Sequence, residues 1–345
     1  MTPSTPTTPI TIKQLAQMLG MAHSTVSRAL NGHPSISAAT RKRIEQAAAQ
    51  FGYVPNSAAR ILKTARSGII GLVIPDIQNK FYATVAKAIS NAAAEQHWQM
   101  VLAITDDAPE RESAAIRSLL KAQAEGVIIV PTATPTQETR SMLQRLHTIQ
   151  LLRSHSGIHS PAIKVADRAG IALATEHLQS LGHRRIGFIG PMIELSTGRE
   201  RLQGFFDRFP GDATAQHYVQ ICPPHSQYVA EAFRQLLRMD APPSAIVLGS
   251  PEFTLGLIEA AHQDGVSIPE QISLVGYGDS GWSRLICGGL TTMSLPEQDI
   301  ADACVDMLRV RIGVLKAADG RKTNAASETY FQPSLILRCS TRSLG

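Results

Sequence analysis

A chain of 345 residues with 43% apolar and 18% charged residues is long enough to bury the cores of two or three domains. The net charge is only +5, but residues 1–66 hold eight basic side chains (Lys13, Arg28, Arg41, Lys42, Arg43, Arg60, Lys63, Arg66) against Glu45 alone, so this segment carries +7 and the remainder −2. A basic arm on a near-neutral body is the footprint of a phosphate-backbone partner. Cys222, Cys287, Cys304 and Cys339 are scattered, with no CxxC pair and no histidine at ligand spacing, which excludes a disulfide framework or zinc site and points to a reducing compartment. No apolar run approaches membrane-spanning length, and MTPSTPTTP lacks the basic and apolar regions of a secretory signal, so the expected location is cytoplasmic, at the nucleoid. With no GxGxxG, P-loop or GxSxG, and with His97, His147, His155, His183 and His217 at no shared helical spacing, neither an enzyme nor a cofactor or metal is expected.

Residues 1–9 read as a disordered Pro/Thr-rich tail. Ile12, Leu15, Ala16 and Leu19 then form the apolar stripe of a short helix that Thr11 caps. Gly20 supplies the turn, and a second helix points Val26 and Leu30 inward while His23, Ser24, Ser27 and Arg28 lie on other faces: a helix-turn-helix pattern, or an ordinary αα-hairpin. Ser37 opens a third helix with Ile44, Ala47, Ala48 and Phe51 on one face, stopped by Gly52 and Pro55. Residues 10–55 thus make a small headpiece. Residues 56–67 read as a basic hinge helix whose Ile61 and Leu62 find no core, and a leucine wedged into a minor groove is one physical use for such a residue.

From Gly68 the pattern changes to buried, β-branched strands alternating with helices. GIIGLVIP, WQMVLAIT, GVIIVP and a strand near 148–153 form one set; RRIGFIG, YVQIC, SAIVLGS and QISLVGYGD form another. A helix at 297–316 and a final strand near 329–338 complete the core. The fold class is therefore α/β, with two parallel-sheet subdomains: one of about 68–165 and 296–329, the other of about 166–293 and 330–340. Ligands of such sheets sit at the carboxyl ends of strands, here in the cleft between subdomains, which selects Asp76, Asn79, Phe81, Thr105, Ser154, Arg199, Ser250 and Asp279. Arg199 suits sugar hydroxyls or a carboxylate, or else an ordinary ion pair.

Several long motifs stand in one order: TIKQLAQMLGMAHSTVSRALNG, SAATRKRIEQAAAQFGYVPNSAARILKTARSGIIGLVIPDIQNKFY, EHLQSLGHRRIGFIG, TGRERLQGF and VSIPEQISLVGYGDSGWSRLICGGLTTM. From Ile10 to about Arg338 the chain resembles the lactose repressor/galactose repressor (LacI/GalR) family. The resemblance implies a repressor of a pseudo-palindromic operator, a dimer or a tetramer with the dimer expected here, and a periplasmic-binding-protein-like core that binds a small-molecule effector. It places His23, Ser24 and Arg28 at base edges, and Thr11, Ser27, Asn31, Ser37, Thr40, Tyr53 and Asn56 at phosphates. Leu62 falls at the minor-groove wedge, and Arg199 at the sugar-binding arginine. Ala22 departs from the serine that often caps the recognition helix. Ser250-Pro251, Gly278 and Ala166 depart from polar or acidic cleft positions, and the GYGD region and Ser250 resemble gluconate-type members. A sugar acid is the effector this implies, with a neutral sugar or no effector as alternatives. A solute-binding protein without regulatory activity shares the two-lobed core, but the basic headpiece argues against it.

Overall fold

The computed structural model describes residues 10–30, 33–53, 66–313 and 327–344. The tail, Asn31, Asn56, Leu62 and nearly all of the expected hinge helix lie outside the described residues. The chain divides into two compact units, Met1–Ser67 and Gly68–Gly345.

In the first unit, α1 (Ile12–Met18), α2 (His23–Leu30) and α3 (Ala38–Gln50) close on a core of Leu15, Ala16, Val26, Ala29, Ile44, Ala47 and Ala48. Thr11 forms a capping box with Gln14: its hydroxyl accepts from the Gln14 N–H, and the Gln14 side chain accepts from the Thr11 N–H. Gly20 takes φ +64° at the turn and Gly52 φ +63° after α3, conformations that an L side chain adopts only with strain. Phe51, expected on the buried face of the third helix, is instead the C-cap residue and 39% exposed. The helix ends before its periodicity does.

The second unit holds two mostly parallel sheets. Among the described residues the first has the order β11-β5-β4-β3-β1-β2 and the second β12-β10-β9-β8-β6-β7. The first comprises β1 (Ile69–Ile74), β2 (Gln99–Ile104), β3 (Gly126–Ile129), β4 (His147–Leu151), β5 (Ala162–Val165) and β11 (Glu328–Phe331). Helix α4 (Lys80–Glu95) covers it, as do α5 (Pro109–Lys121), α6 (Gln137–Leu143) and α11 (Glu297–Arg311). The second sheet comprises β6 (Ile186–Gly190), β7 (Val219–Ile221), β8 (Ala245–Leu248), β9 (Ser273–Tyr277), β10 (Thr291–Ser294) and β12 (Ser334–Ile336). It is covered by α7 (Asp167–Ser180), α8 (Ser196–Phe206), α9 (Ser226–Leu237) and α10 (Pro251–Gln263). Central strands such as AIVL of β8 are buried at every residue, which is why they read as unbroken apolar runs.

Two strands were invisible in the sequence pattern: β5, only four residues long, and β10, whose TTMS is polar. The final segment, expected as one strand, is two. β11 pairs parallel with β5 in the first sheet, and β12 pairs antiparallel with β10 in the second, with Gln332-Pro333 between them. The chain therefore crosses between sheets at Ala166, at Leu295-Pro296 and at Gln332-Pro333. Strand β2 lies at the edge of its sheet and leaves Val101, Leu102 and Ile104 exposed.

Helices α7 and α8 touch backbone to side at Gly204, where a Cβ would meet the Arg168 carbonyl oxygen at 2.2 Å. Backbone cannot swing aside as a flexible side chain can. Gly204→Ala is expected to cost about 1–3 kcal/mol by urea denaturation, and wild-type stability in that variant would show that the two helices are free to separate.

Candidate functional site

The first unit presents one chemical face. His23, Ser24 and Arg28 on α2 are all exposed, while Val26 and Ala29 of the same helix are buried. Arginine can grip guanine O6 and N7 through two parallel hydrogen bonds, whereas His23 and Ser24 offer single, less selective ones. Ser27 is half-buried beside them. Thr11 is exposed, but its hydroxyl also donates to the Gln14 side chain at 3.0 Å, so it is engaged as donor and acceptor within its own helix. Ser37 caps α3 by accepting from the Thr40 N–H at 3.2 Å, and the two hydroxyls are 2.9 Å apart. Tyr53 is half-buried and desolvation raises its phenol pKa, keeping it a neutral donor. Position 22 supplies α2 with a carbonyl that accepts from Val26 but no side-chain cap, as Ala22 implies.

The second unit holds a cavity of about 580 Å³ at the carboxyl ends of the strands, with walls from both sheets. Asp76, Asn79, Phe81 and Ser250 from the sequence-based set meet there, joined by Tyr82, Arg153, Thr197, Arg201, Glu252 and Tyr277. Local structure positions them. The Asn79 carboxamide oxygen caps α4 by accepting from the Phe81 N–H at 2.9 Å, and Asp76 accepts from the Gln78 N–H at 2.8 Å. Phe81 and Tyr82 then pack edge to face, ring centres 5.7 Å apart.

Of the two arginines of α8, Arg201 and not Arg199 lines this cavity. Its Nε donates to Asp167 at 2.9 Å, one terminal nitrogen to the Gly249 carbonyl at 2.6 Å and the other to the Tyr277 hydroxyl at 3.0 Å. The guanidinium also lies 4.1 Å from the Tyr277 ring centre, and that hydroxyl donates to Asp167. Burial works against the charge of Arg201, but Asp167 and Tyr277 outweigh it, so its pKa rises above that of free arginine. Burial likewise drives the Tyr277 phenol well above its usual value. Arg199 is exposed and donates to the carbonyls of Ile193 and Glu194, both at 3.0 Å, bracing the loop ahead of α8. The helical face explains the difference. Thr197, Arg201, Gly204 and Phe205 fall at i, i+4, i+7 and i+8 and are all buried, whereas Arg199 lies on the other side. That spacing was readable in TGRERLQGF and picks Arg201.

Three other candidates lie elsewhere. Thr105 is fully buried, with its hydroxyl 3.4 Å from the Ile74 carbonyl. Asp279 makes a two-pronged pair with Arg338 at 2.7 and 2.9 Å and accepts from Thr292 at 2.9 Å, tying β9 to the segment after β12. Gly278, at φ +81°, makes the turn ahead of it. Ser154 and Arg199 border a neighbouring cavity. Asp167, one residue beyond the non-acidic Ala166, is buried and spent on Arg201 and Tyr277.

The charges of the main cavity are acidic in excess. Asp76, Asp106, Asp107, Glu194 and Glu252 line it against Arg153 and Arg201. Arg153 is already neutralised by a two-pronged pair with Asp107, and Arg201 by Asp167. Burial, helped by the charge of Asp76, raises the pKa of Glu252 despite the hydroxyl donated by Ser250. Among the described residues no group of three or more His, Cys, Asp or Glu side chains is arranged to hold a metal ion, and no helix is long and apolar enough to cross a membrane.

Two outcomes follow from these pairings. Arg201→Ala leaves Asp167 buried without its cation and is expected to cost roughly 3–5 kcal/mol in chemical denaturation, while Arg199→Ala costs about 1 kcal/mol; equal losses would count against the buried Arg201–Asp167 pair. The Arg338 guanidinium holds the Asp279 carboxyl below its ordinary 3.8, so the pair's stabilisation is full above that value and is lost as pH falls below it. Asp279→Asn should remove this acid-sensitive component, and an unchanged acid-unfolding curve would count against it.

Comparisons with known proteins bear on both units. Residues 11–56 match the model of bacterial regulatory proteins, lacI family, and residues 175–341 that of a periplasmic binding protein-like domain. The HTH-type transcriptional regulator MalR of Streptomyces coelicolor is 30% identical over 349 residues, covering 96% of each chain. GalR of Escherichia coli is 27% identical over 333 residues, 96% of this chain and 95% of its own. The solved structure of the lac repressor dimer bound to operator and the anti-inducer ONPF matches with a TM-score of 0.81 at 23% identity, over 97% of this chain and 100% of that one. With a helix-turn-helix unit whose polar face is exposed and a two-sheet core around a cavity, the chain belongs to the lacI family of bacterial regulatory proteins: it is a DNA-binding transcriptional regulator and not an enzyme.

Proposed function

We propose that the protein is a cytoplasmic repressor that reads a pseudo-palindromic operator as a homodimer and whose operator affinity is set by a neutral sugar in the main cavity. The observation that carries the DNA-reading half is the exposed trio His23, Ser24 and Arg28 on a helix whose opposite face is fully packed. Arg28 and the two smaller groups choose bases. Ser27, Ser37, Thr40 and Tyr53, with Asn31 and Asn56 outside the described residues, hold phosphates, and Leu62 wedges into the minor groove. Thr11 has the smaller part, because its hydroxyl already serves the capping box. The apolar edge strand β2 suits a second copy of the chain, which the two half-sites of an operator require.

The cavity's acidic surplus favours a neutral sugar over the sugar acid implied by sequence. Its two arginines are satisfied by Asp107 and Asp167, so a ligand carboxylate would meet Asp76, Glu194 and Glu252 without a free cation. Carboxylates that accept from sugar hydroxyls fit that lining well. One structural relative of 23% identity and TM-score 0.70 is a CelR–cellobiose complex, and another relative is the ribose operon repressor of E. coli. A ligand that bridges two sheets joined by three crossings favours one closure of the core over the other, and linkage converts that preference into a change in operator affinity. A solute-binding role without DNA is disfavoured by the lacI-family match at residues 11–56.

Gel shifts with operator and scrambled duplexes test the reading head. Arg28→Ala should abolish preference for operator, at a cost of about 1–3 kcal/mol, whereas Lys42→Ala should weaken both duplexes alike. Retained sequence preference in Arg28→Ala would overturn the assignment of α2.

A further inference from the structure

We propose that the effector is a neutral glycoside of two sugar units, one above Arg201 and the other in an adjoining outer cavity. The proposal rests on the sugar-effector reading and names the ligand class within it. Ala133, Arg153, Glu194 and Leu195 wall both the main cavity and a second space of about 490 Å³. Each space alone is within the size range of small-molecule sites.

The two spaces are lined differently. Phe81, Tyr82, Pro191, Leu195 and Pro251 give the inner cavity apolar surfaces, on which the C–H face of a ring packs. The outer one is lined by Ser154, His155, Ser156, His159 and Ser160, groups that donate to and accept from hydroxyls. Its charges cancel, Arg153 and Arg199 against Glu194 and Glu328. Arg153 pairs with Asp107, Arg199 is braced on two carbonyls through one terminal nitrogen, and Glu328 pairs with Lys164 at 3.4 Å and accepts from Tyr330 at 2.6 Å. With two acids to match the two arginines, the outer space carries no surplus of positive charge to draw in an anion.

Two details match the outer space to a polyhydroxyl ligand. The His155 Nδ1 accepts from the Gly157 N–H at 3.0 Å, which leaves Nε2 carrying the proton of the neutral ring; burial and the nearby Arg140 and Arg199 keep that ring neutral. The Ser160 hydroxyl meets no hydrogen-bond partner in the chain although the residue is only 6% exposed, a position that water or a ligand ordinarily satisfies. At the same rim the Ser154 N–H donates to the Ser196 hydroxyl of α8 at 3.0 Å, a direct bond from one subdomain to the other. A second sugar unit there lies against both subdomains and adds to the closure preference of the first.

Calorimetric titration of the full-length protein with glucose and galactose, and with maltose, cellobiose and lactose, tests this. Wild type should bind at least one disaccharide about tenfold or more tightly than either hexose. Ser156 is exposed at the rim, so Ser156→Trp fills the outer space without disturbing packed residues. It should bring that disaccharide down to the hexose level and leave hexose binding unchanged, while Ser156→Ala keeps the wild-type pattern. A disaccharide that binds no better than a hexose, or a Ser156→Trp variant that keeps its disaccharide affinity or loses both ligands equally, overturns the proposal and leaves the sugar-effector reading standing. Failure of every sugar to bind wild type overturns the sugar-effector reading itself.

Discussion

The buried cluster of Arg201, Asp167, Tyr277 and the Gly249 carbonyl is the constraint on which the core depends. It joins the start of α7, the middle of α8, the end of β9 and the turn after β8 in a space with little access to water. A guanidinium there is tolerable only because each of its nitrogens donates to a partner and Asp167 balances its charge. Removal of either partner strands the other in a low dielectric. Arg201 and Tyr277 of the cluster also line the main cavity. Its guanidinium and phenol are thereby held in fixed orientation before any ligand arrives, and the cost of ordering them is met by folding.

Asp167 gains a second importance from its place in the chain. It follows Ala166, the first of the three crossings between sheets. Arg201, paired with Asp167, therefore sits beside this crossing. The opposing walls of the cavity carry Asp76 and Phe81 on one side and Ser250 and Glu252 on the other. Ser154 to Ser196, and Lys164 to Glu200 at 4.0 Å, are contacts that cross the cleft. The basic unit at residues 10–53 has its own separate core and needs only to be presented to DNA in pairs. Control belongs to the larger unit, and reading belongs to the smaller one.

Long, strongly patterned features were legible in the sequence. The helix stripes around Gly20, the unbroken runs of β1 and β8 and the charge imbalance of the first 66 residues rest on local periodicity and composition, which tertiary contacts reinforce here. Ambiguity arose where two positions were equally polar. Arg199 and Arg201 are both arginines on one helix, and only the face shared with Gly204 and Phe205 separates them. Asp279 looked available beside Gly278, but Arg338, 59 residues further on, claims it. The polar TTMS of β10 gave no strand signal because three of its four residues are Thr or Ser, and their burial comes from its place between β9 and β12.

By itself the sequence determined the class of the protein: a basic helix-turn-helix unit ahead of two α/β sheets, recognisable because periodicity, turn glycines and charge are all local properties. The tertiary structure alone decided which polar residues face the cavity and which are spent on one another. Hydrogen bonds such as Arg201 to Asp167 and Arg338 to Asp279 join residues 34 and 59 positions apart, and no local pattern encodes such pairings.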